Sequence, residues 1–165
     1  MGKTYVRIDD RLIHGQIVLA WSVTLGINEI IAVDDTLAAN PMLQTIMTMG
    51  VPAQYHPCIV TTAKAQEILG RESSGNRLVI TRFCRNLGGI AAEIKTCEHI
   101  NLGNCSKQDN SKYSLNSGAG RFLSLTQEDM DTLLALEKEG CKIFSQLLPS
   151  DKINTWESMK NSAGV

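Results

Sequence analysis

The sequence lacks the features that define several large protein classes. Sixteen Lys and Arg against seventeen Asp and Glu give a formal net charge of −1, which predicts no general attraction to nucleic acid or to an anionic membrane. No apolar run approaches the roughly 20 residues that span a bilayer, and the first residues lack the apolar core of a signal peptide. The expectation is a cytoplasmic protein with one ordinary domain over residues 1–165.

Motifs for disulfides, metals and nucleotides are also missing. The five cysteines are an odd number and contain no Cys-x-x-Cys pair, so they are predicted to be reduced and mostly buried thiols. The glycines of Gly118-Ala-Gly120 are followed by no Walker lysine, which argues against a nucleotide site. No metal or cofactor is expected.

What the chain does contain is an alternation of short apolar runs and helical patterns. The runs are apolar without regular alternation, as in strands that are covered on both faces. Strands are predicted over residues 4–8, 29–33, 55–60, 77–82, 99–102, 121–125 and 142–148. This order of elements predicts an α/β fold, a three-layer open and mainly parallel β-sheet with helices on both faces.

Helices are predicted between most of these strands. They cover residues 15–25, 65–69 and 126–140, with two further helices that begin at Pro41 and near Ser150. Residues expected on their buried faces include Leu43, Ile46 and Met47 in the second helix, and Ile153 and Trp156 in the last. Residues 104–120, rich in Asn, Ser, Gly and Lys, are expected to form a long mobile surface loop.

The loop after the first strand is the first place to look for a ligand, because open α/β sheets bind ligands where loops leave the carboxyl ends of strands. It reads Asp9-Asp10-Arg11-Leu12-Ile13-His14-Gly15-Gln16. A histidine that becomes phosphorylated needs a neighbour that accepts its other ring N–H, which Asp9 or Asp10 could do. Arg11 has the fork that suits a phosphoryl group.

The helix that follows adds an anion site to this loop. The backbone N–H groups of Gly15 and Gln16 are expected to meet the phosphate beside Asp10, since a helix N-terminus carries unpaired N–H groups and a positive dipole end. Gly15 would let the backbone approach closely. The simpler interpretation stays open: His14 as a capping residue, and the acidic and basic residues before it as a salt-bridged turn.

Four other polar residues are weaker candidates for a role in the site. Asp34 and Asp35 end the second strand and could shape the site or cap the next turn. Arg82 and Arg85 flank the end of the fourth strand and could meet phosphate or a partner's acidic rim, or be ordinary solvated charges.

A resemblance sharpens the prediction. The run Arg7-Ile-Asp-Asp-Arg-Leu-Ile-His-Gly-Gln-Ile17, followed by Trp21, resembles the active-site segment of IIB components in the mannose/fructose/sorbose family of bacterial sugar phosphotransferase systems. Further similar segments cover residues 30–35, 39–41, 101–104, 124–140 and 146–151. The resemblance therefore extends over nearly the whole chain. The segment from 103 to 120 looks several residues longer than in similar proteins, and Asn104 stands where others carry a second glycine.

The resemblance implies a phosphocarrier. A IIA component would donate a phosphoryl group from a phosphohistidine to Nδ1 of His14, with Arg11 stabilising the phosphate and Asp9 as the acidic partner. The group would then pass to a sugar held by the membrane subunits IIC and IID, which would hold the chain at the membrane periphery. A hexose, a ketose or an amino sugar such as N-acetylgalactosamine fits this family. Whether the chain forms a homo-oligomer stays open.

Two alternatives remain at this point. A phosphatase with a phosphohistidine intermediate usually places Arg directly before His, whereas Ile13 precedes His14 here. A regulatory domain could keep the fold without the chemistry, but it would not need the Asp-x-Arg-x-x-His-Gly pattern.

Overall fold

The computed structural model describes all residues, 1–165. Its strands are β1 (Thr4–Asp9), β2 (Ile27–Val33), β3 (Cys58–Val60), β4 (Asn76–Thr81), β5 (Ile100–Asn104), β6 (Tyr113–Asn116), β7 (Phe122–Leu125), β8 (Ile143–Ser145) and β9 (Asn154–Thr155). Its α-helices are α1 (Gly15–Leu25), α2 (Asp35–Ala38), α3 (Pro41–Thr48), α4 (Thr62–Leu69), α5 (Ala91–Ile94), α6 (Gln127–Lys138) and α7 (Trp156–Ser162). Two 3-10 helices cover Ala53–Tyr55 and Cys84–Ile90.

Seven strands form the central sheet in the order β3-β2-β4-β1-β5-β8-β9. Every pairing between them is parallel except β8 with β9. Strands β6 and β7 form a separate antiparallel hairpin. The central strands β1 and β4 are buried on both faces, which explains why their sequences are apolar without regular alternation.

Helices cover both faces of the sheet over two apolar clusters. One cluster packs α1, α2 and Tyr55 against side chains such as Ile30 and Ala32. The other packs α4, α5, α6, α7 and the hairpin against the opposite face, where Ile31 and Val33 point. Alternate residues of β2 thus enter opposite layers. The predicted three-layer α/β fold is confirmed. No helix has both the length and the apolar character needed to cross a bilayer.

The third strand is shorter than predicted. It begins at Cys58, whereas residues 55–57 form the end of a 3-10 helix and a left-handed turn at His56 (φ 47°). Pro57 follows this turn and has no N–H to donate to a neighbouring strand. Lys142 and residues 146–148 likewise lie outside strand β8.

The segment expected to be one long loop contains a strand. Residues 113–116 form β6 and pair with β7, so the predicted strand over 121–125 lies in this hairpin and not in the main sheet. The hairpin's inner residues Leu115 and Leu123 are fully buried against the sheet's apolar cluster. In β6 the buried residue alternates with exposed polar residues, as in a strand with one covered face. The polar composition of the segment concealed this pattern in the sequence.

Two predicted helix faces were wrong in part, although Trp156 is buried and Met47 packs against the core as predicted. Leu43 and Ile46 of α3 are 40% and 58% exposed, because this helix lies at the rim of the layer and buries none of its residues fully. The last helix begins only at Trp156, and Ile153 before it is 49% exposed. Thr155 caps that helix by accepting the Ser158 N–H. The cysteines are free thiols as predicted, three buried and two partly buried.

Candidate functional site

The connections of the sheet open a crevice at the carboxyl end of β1. After β1, helix α1 packs on one face of the sheet. After the neighbouring strands β4 and β5, the chain packs on the opposite face. Such a reversal of direction is the usual ligand position in open α/β sheets. The loop from Asp9 to His14 therefore lies where the sequence predicts a site.

A tight turn shapes this loop. The Asp9 carbonyl accepts the Leu12 N–H at 2.8 Å, and the Asp9 carboxylate accepts the Arg11 N–H at 3.0 Å. Leu12 adopts a left-handed conformation (φ 59°), which costs a non-glycine residue about 1–2 kcal/mol. Its side chain is only 1% exposed, so apolar packing holds the strained turn in place. The turn leaves His14 exposed at the start of α1.

Arg11 is held by a two-point ion pair. Its Nε donates to Oδ1 of Asp9 and its Nη2 donates to Oδ2, each at 3.0 Å. These hydrogen bonds raise the pKa of the Arg11 guanidinium further above its ordinary value. The Asp9 side chain is 2% exposed, but that of Arg11 is 39% exposed. The fork is therefore fixed in direction and still reachable from solvent.

Asp10 ties the loop to the end of β5. Its carboxylate accepts hydrogen bonds from the Asn104 side-chain amide at 2.6 Å and from the Ser106 N–H at 2.8 Å. Burial acts to raise the pKa of Asp10, but the hydrogen bonds from Ser106 and Asn104 outweigh it and lower the pKa below its ordinary value. Asn104, noted in the sequence only as a departure from a pattern, is thus a contact of the site loop.

Neither aspartate is hydrogen-bonded to the histidine. The His14 imidazole makes no hydrogen bond, and both carboxylates are engaged elsewhere. The expectation that Asp9 or Asp10 accepts the imidazole N–H is therefore not met in this structure. The physical reason is competition, because a guanidinium fork and two amide donors occupy the carboxylate oxygens. Asp9 orients Arg11 instead.

The N-terminus of α1 is left open. His14 is its N-cap residue and makes no side-chain capping bond, and no acidic residue lies in the first turn. The first N–H groups of the helix, including those of Gly15 and Gln16, lack intrahelical acceptors. A Cβ on Gly15 would meet only the Gly50 carbonyl oxygen, at 3.8 Å, so the fold itself does not require glycine there. An exposed imidazole, a fixed guanidinium and free N–H groups are thus brought together, a set that suits a phosphoryl group.

The weaker acidic candidates have structural contacts. Asp34 caps α2 by accepting the Leu37 N–H at 2.8 Å and pairs with Arg82 at 3.4 Å. Asp35 accepts the N–H and hydroxyl of Thr62 at 2.7 and 3.0 Å. The capping role is therefore confirmed for Asp34, whereas Asp35 binds the distant Thr62 and does not cap the next turn.

Arg85 also has partners within the fold. It pairs with Asp129 at 3.3 Å, donates to Gln108 at 3.0 Å and stacks on Phe83. None of these contacts belongs to the His14 loop. No group of three or more His, Cys, Asp or Glu side chains is placed to hold a metal ion.

Sequence reasoning missed one residue of the site. Arg7 is buried inside β1, 2% exposed, with its guanidinium beside Asp9. A charged residue within an otherwise apolar strand was the available signal, because a lone arginine is almost never fully buried without a reason.

Comparison with known proteins now gives the family. The family model described as the PTS system sorbose subfamily IIB component matches residues 3–165. The chain belongs to this family. As a IIB component it is a subunit of a sugar phosphotransferase system and a phosphotransferase, as the sequence predicts.

Individual relatives agree with this membership. A probable phosphotransferase enzyme IIB component of Streptococcus pyogenes is 27% identical over 153 residues, 90% of this chain and 93% of the relative. The mannose-specific EIIAB component of Escherichia coli is 33% identical over 77 residues, 47% of this chain and 24% of that protein. The solved IIB domain of the sorbose permease of Klebsiella pneumoniae has the same fold, with a TM-score of 0.80, 21% identity and 98% of each chain covered.

Proposed function

We propose that this IIB component accepts a phosphoryl group on His14 and passes it to a sugar. One observation carries the assignment. The exposed His14 lies at the N-cap position of a helix whose N-terminus has no side-chain cap, three residues after an arginine that is held in a fixed direction. Residues 1–165 would act together as one IIB domain, since the sheet includes strands from both ends of the chain.

The transfer needs no group beyond these residues. A nitrogen lone pair of His14 attacks the phosphorus of a donor phosphohistidine, a new N–P bond forms, and the donor's N–P bond breaks with its electron pair returning to the donor imidazole. Arg11 and the N–H groups at the start of α1 stabilise the charge on the phosphoryl oxygens. In the second step a sugar hydroxyl oxygen attacks phosphorus and forms an O–P bond. The N–P bond to His14 breaks with its electron pair returning to the imidazole, and the hydroxyl proton passes to water.

The partners follow from the family. The mannose-specific relative is named as a joint EIIAB component, which supports a IIA phosphohistidine as the donor. The acceptor would be a hexose, ketose or amino sugar presented by the membrane subunits IIC and IID. Binding to these subunits would place the chain in the cytoplasm at the membrane surface. The relatives include a mannose-specific component and a domain of a sorbose permease, which supports a sugar substrate without selecting one.

The test is phosphorylation with a matched histidine control. The protein is incubated with phosphoenolpyruvate, the two general phosphotransferase proteins and a IIA component, and its intact mass is read before and after acid treatment. We expect one acid-labile phosphoryl group on wild type and none on His14→Ala. His56→Ala serves as the control, because His56 is also exposed but only contacts the Asn28 carbonyl oxygen.

The same assay separates the alternatives. A folded wild type that takes no phosphoryl group from several IIA donors would favour a regulatory domain. A His14→Ala protein that is still phosphorylated would overturn the assignment of the nucleophile. Continuous phosphate release from small esters, without a sugar acceptor, would favour a hydrolase.

A further inference from the structure

A second arginine lies beneath the site and is not used by the chemistry above. Arg7 belongs to the central strand β1 and is 2% exposed. Its Nη1 donates to the Gln146 carbonyl oxygen at 3.3 Å. That carbonyl is also fixed by the side-chain amide of Asn101, at 3.0 Å. The guanidinium is therefore anchored at one end within the sheet.

The other end of this guanidinium has unused donors. Its Nε and Nη2 are buried and have no hydrogen-bond partner. The nearest acid is Asp9, whose Oδ2 lies 3.8 Å from Nη2. At this distance the two side chains form an ion pair. The separation is about 1 Å too long for a charge-assisted hydrogen bond, which measures roughly 2.7–2.9 Å. Asp9 thus lies between two guanidinium groups and is hydrogen-bonded to one of them.

Space for this second guanidinium depends on a glycine. A Cβ on Gly103 would overlap the Nε and Cζ atoms of Arg7. Glycine at this position of β5 therefore leaves room for Arg7 to lie beside Asp9. Burial lowers the pKa of Arg7 to about 10, so its charge is retained at neutral pH.

Phosphorylation of His14 would change the hydrogen bonds of the Asp9 carboxylate. Arg11 is the arginine that solvent and a phosphoryl group can reach. If its fork turns towards the phosphoryl group, Asp9 loses both of its hydrogen bonds from that side chain. A carboxylate that is only 2% exposed then keeps the Arg11 backbone N–H as its hydrogen-bond donor, and a buried charge that loses most of its hydrogen bonds is destabilising.

We propose that Arg7 becomes the hydrogen-bond donor to Asp9 when Arg11 binds the phosphoryl group on His14. Arg7 is then a positioning residue, because it allows Arg11 to leave Asp9. The inference rests on the proposed function of His14. A shift of about 1 Å by the Asp9 carboxylate would convert the 3.8 Å contact into a hydrogen bond with the free Nη2. Arg7 acts through Asp9 and does not touch the phosphate.

The test is a double-mutant experiment on the full chain. The rate of phosphoryl transfer from the IIA component is measured for wild type, Arg7→Gln and the double variant Asp9→Asn with Arg7→Gln. We expect Arg7→Gln to be slower by about tenfold or more, because Arg11 is now the only partner of the buried carboxylate. The double variant should be faster than Arg7→Gln, because no buried charge then holds Arg11 back.

Arg77 provides a matched control. It also lies buried in a central strand, 7% exposed, but pairs with Glu29 at 3.5 Å and donates to the Arg71 carbonyl oxygen. It lies at the amino end of β4, opposite the site. Arg77→Gln should lower stability without changing the rate of transfer. A purely structural role for Arg7 would instead give similar effects for both variants and further loss in the double variant.

A spectroscopic measurement on wild type decides the matter if Arg7→Gln does not fold. The Nε–H resonances of Arg7, Arg11 and Arg77 are followed by nitrogen–proton NMR before and after phosphorylation. We expect the signals of Arg7 and Arg11 to shift and that of Arg77 to stay. An unchanged Arg7 signal in the phosphorylated protein, a wild-type rate in folded Arg7→Gln, or a double variant slower than Arg7→Gln would each overturn the inference. A wild type that is never phosphorylated would overturn the proposed function itself, and the inference with it.

Discussion

The N-termini of α1 and α6 face the same edge of the sheet and are built in opposite ways. At α6, Thr126 accepts the Asp129 N–H at 3.1 Å, and the Asp129 carboxylate accepts the Thr126 N–H at 3.0 Å. Glu128 adds a negative charge to the same turn. At α1, His14 caps nothing with its side chain, and the first turn has no acid.

This difference separates a structural helix end from a functional one. Free N–H groups and a positive dipole end attract negative charge at any helix N-terminus. At α6 the chain's own carboxylates supply that charge, and Asp129 is 2% exposed. At α1 no carboxylate lies in the first turn, so its N–H groups are available to the phosphoryl group that we propose. A helix without a side-chain N-cap is less stable by about 1 kcal/mol. This loss of stability at α1 favours a functional role for its N-terminus.

The largest effect should follow a change in the clamp. Arg11→Lys keeps the positive charge but loses the two-point fork. The loss of one charge-assisted hydrogen bond, about 1.5–3 kcal/mol, corresponds to transfer that is slower by roughly ten- to a hundredfold. Rapid-quench kinetics of phosphorylation by a IIA component would measure it. Arg85→Lys, at the α6 end, should keep the wild-type rate because Arg85 binds Asp129. Equal rates for wild type and Arg11→Lys would refute the clamp.

A smaller effect should follow if α1 is given the charge that α6 already has. Gln16 is exposed in the first turn of α1, so Gln16→Glu should stabilise the helix end by about 0.3–1 kcal/mol. The same negative charge should repel the phosphoryl group and slow its transfer by roughly two- to fivefold. Thermal unfolding should show the increase in stability, and single-turnover kinetics should show the decrease in the transfer rate.

The reverse substitution in α6 is the control for that experiment. Glu128 is exposed in the first turn of α6. Glu128→Gln should lower stability by about 0.3–1 kcal/mol and leave phosphoryl transfer unchanged. If Gln16→Glu also left the rate unchanged, the open end of α1 would have no part in binding phosphate.

The smallest effect on transfer is expected at the closed helix end. Thr126→Ala removes the cap of α6 and should cost about 0.5–2 kcal/mol of unfolding free energy. The rate of phosphorylation should stay at the wild-type value, since the hydrogen bonds of Thr126 lie within its own helix. Urea unfolding would give the stability, and the intact-mass assay would give the rate. A clear loss of transfer would show that the two helix ends are coupled through the sheet.

Much of the fold could be read from the chain because local patterns agree with the tertiary structure. The helices predicted over residues 15–25 and 126–140 match α1 and α6 with nearly correct bounds. Runs such as residues 77–82 predicted central strands, because a strand covered on both faces is apolar throughout. Prediction was wrong where the element was an edge or a rim, as in the polar hairpin strand β6 and the exposed face of α3.

For the candidate site, the sequence by itself determined the composition: one short segment with a histidine, an arginine, two aspartates and a helix start in fixed order. Chain neighbours must be close in space, so this part needed no tertiary structure.

Which groups pair was decided only by the folded chain. The left-handed turn at Leu12 aims Asp9 at Arg11, and Asp10 binds Asn104 from a strand 94 residues away. Arg7 and Asp9 lie on the same face of β1, and the pairing of β1 with β5 places Gly103 beside them. Hydrogen bonds and burial depend on distances between distant residues, and those distances exist only once the sheet has formed.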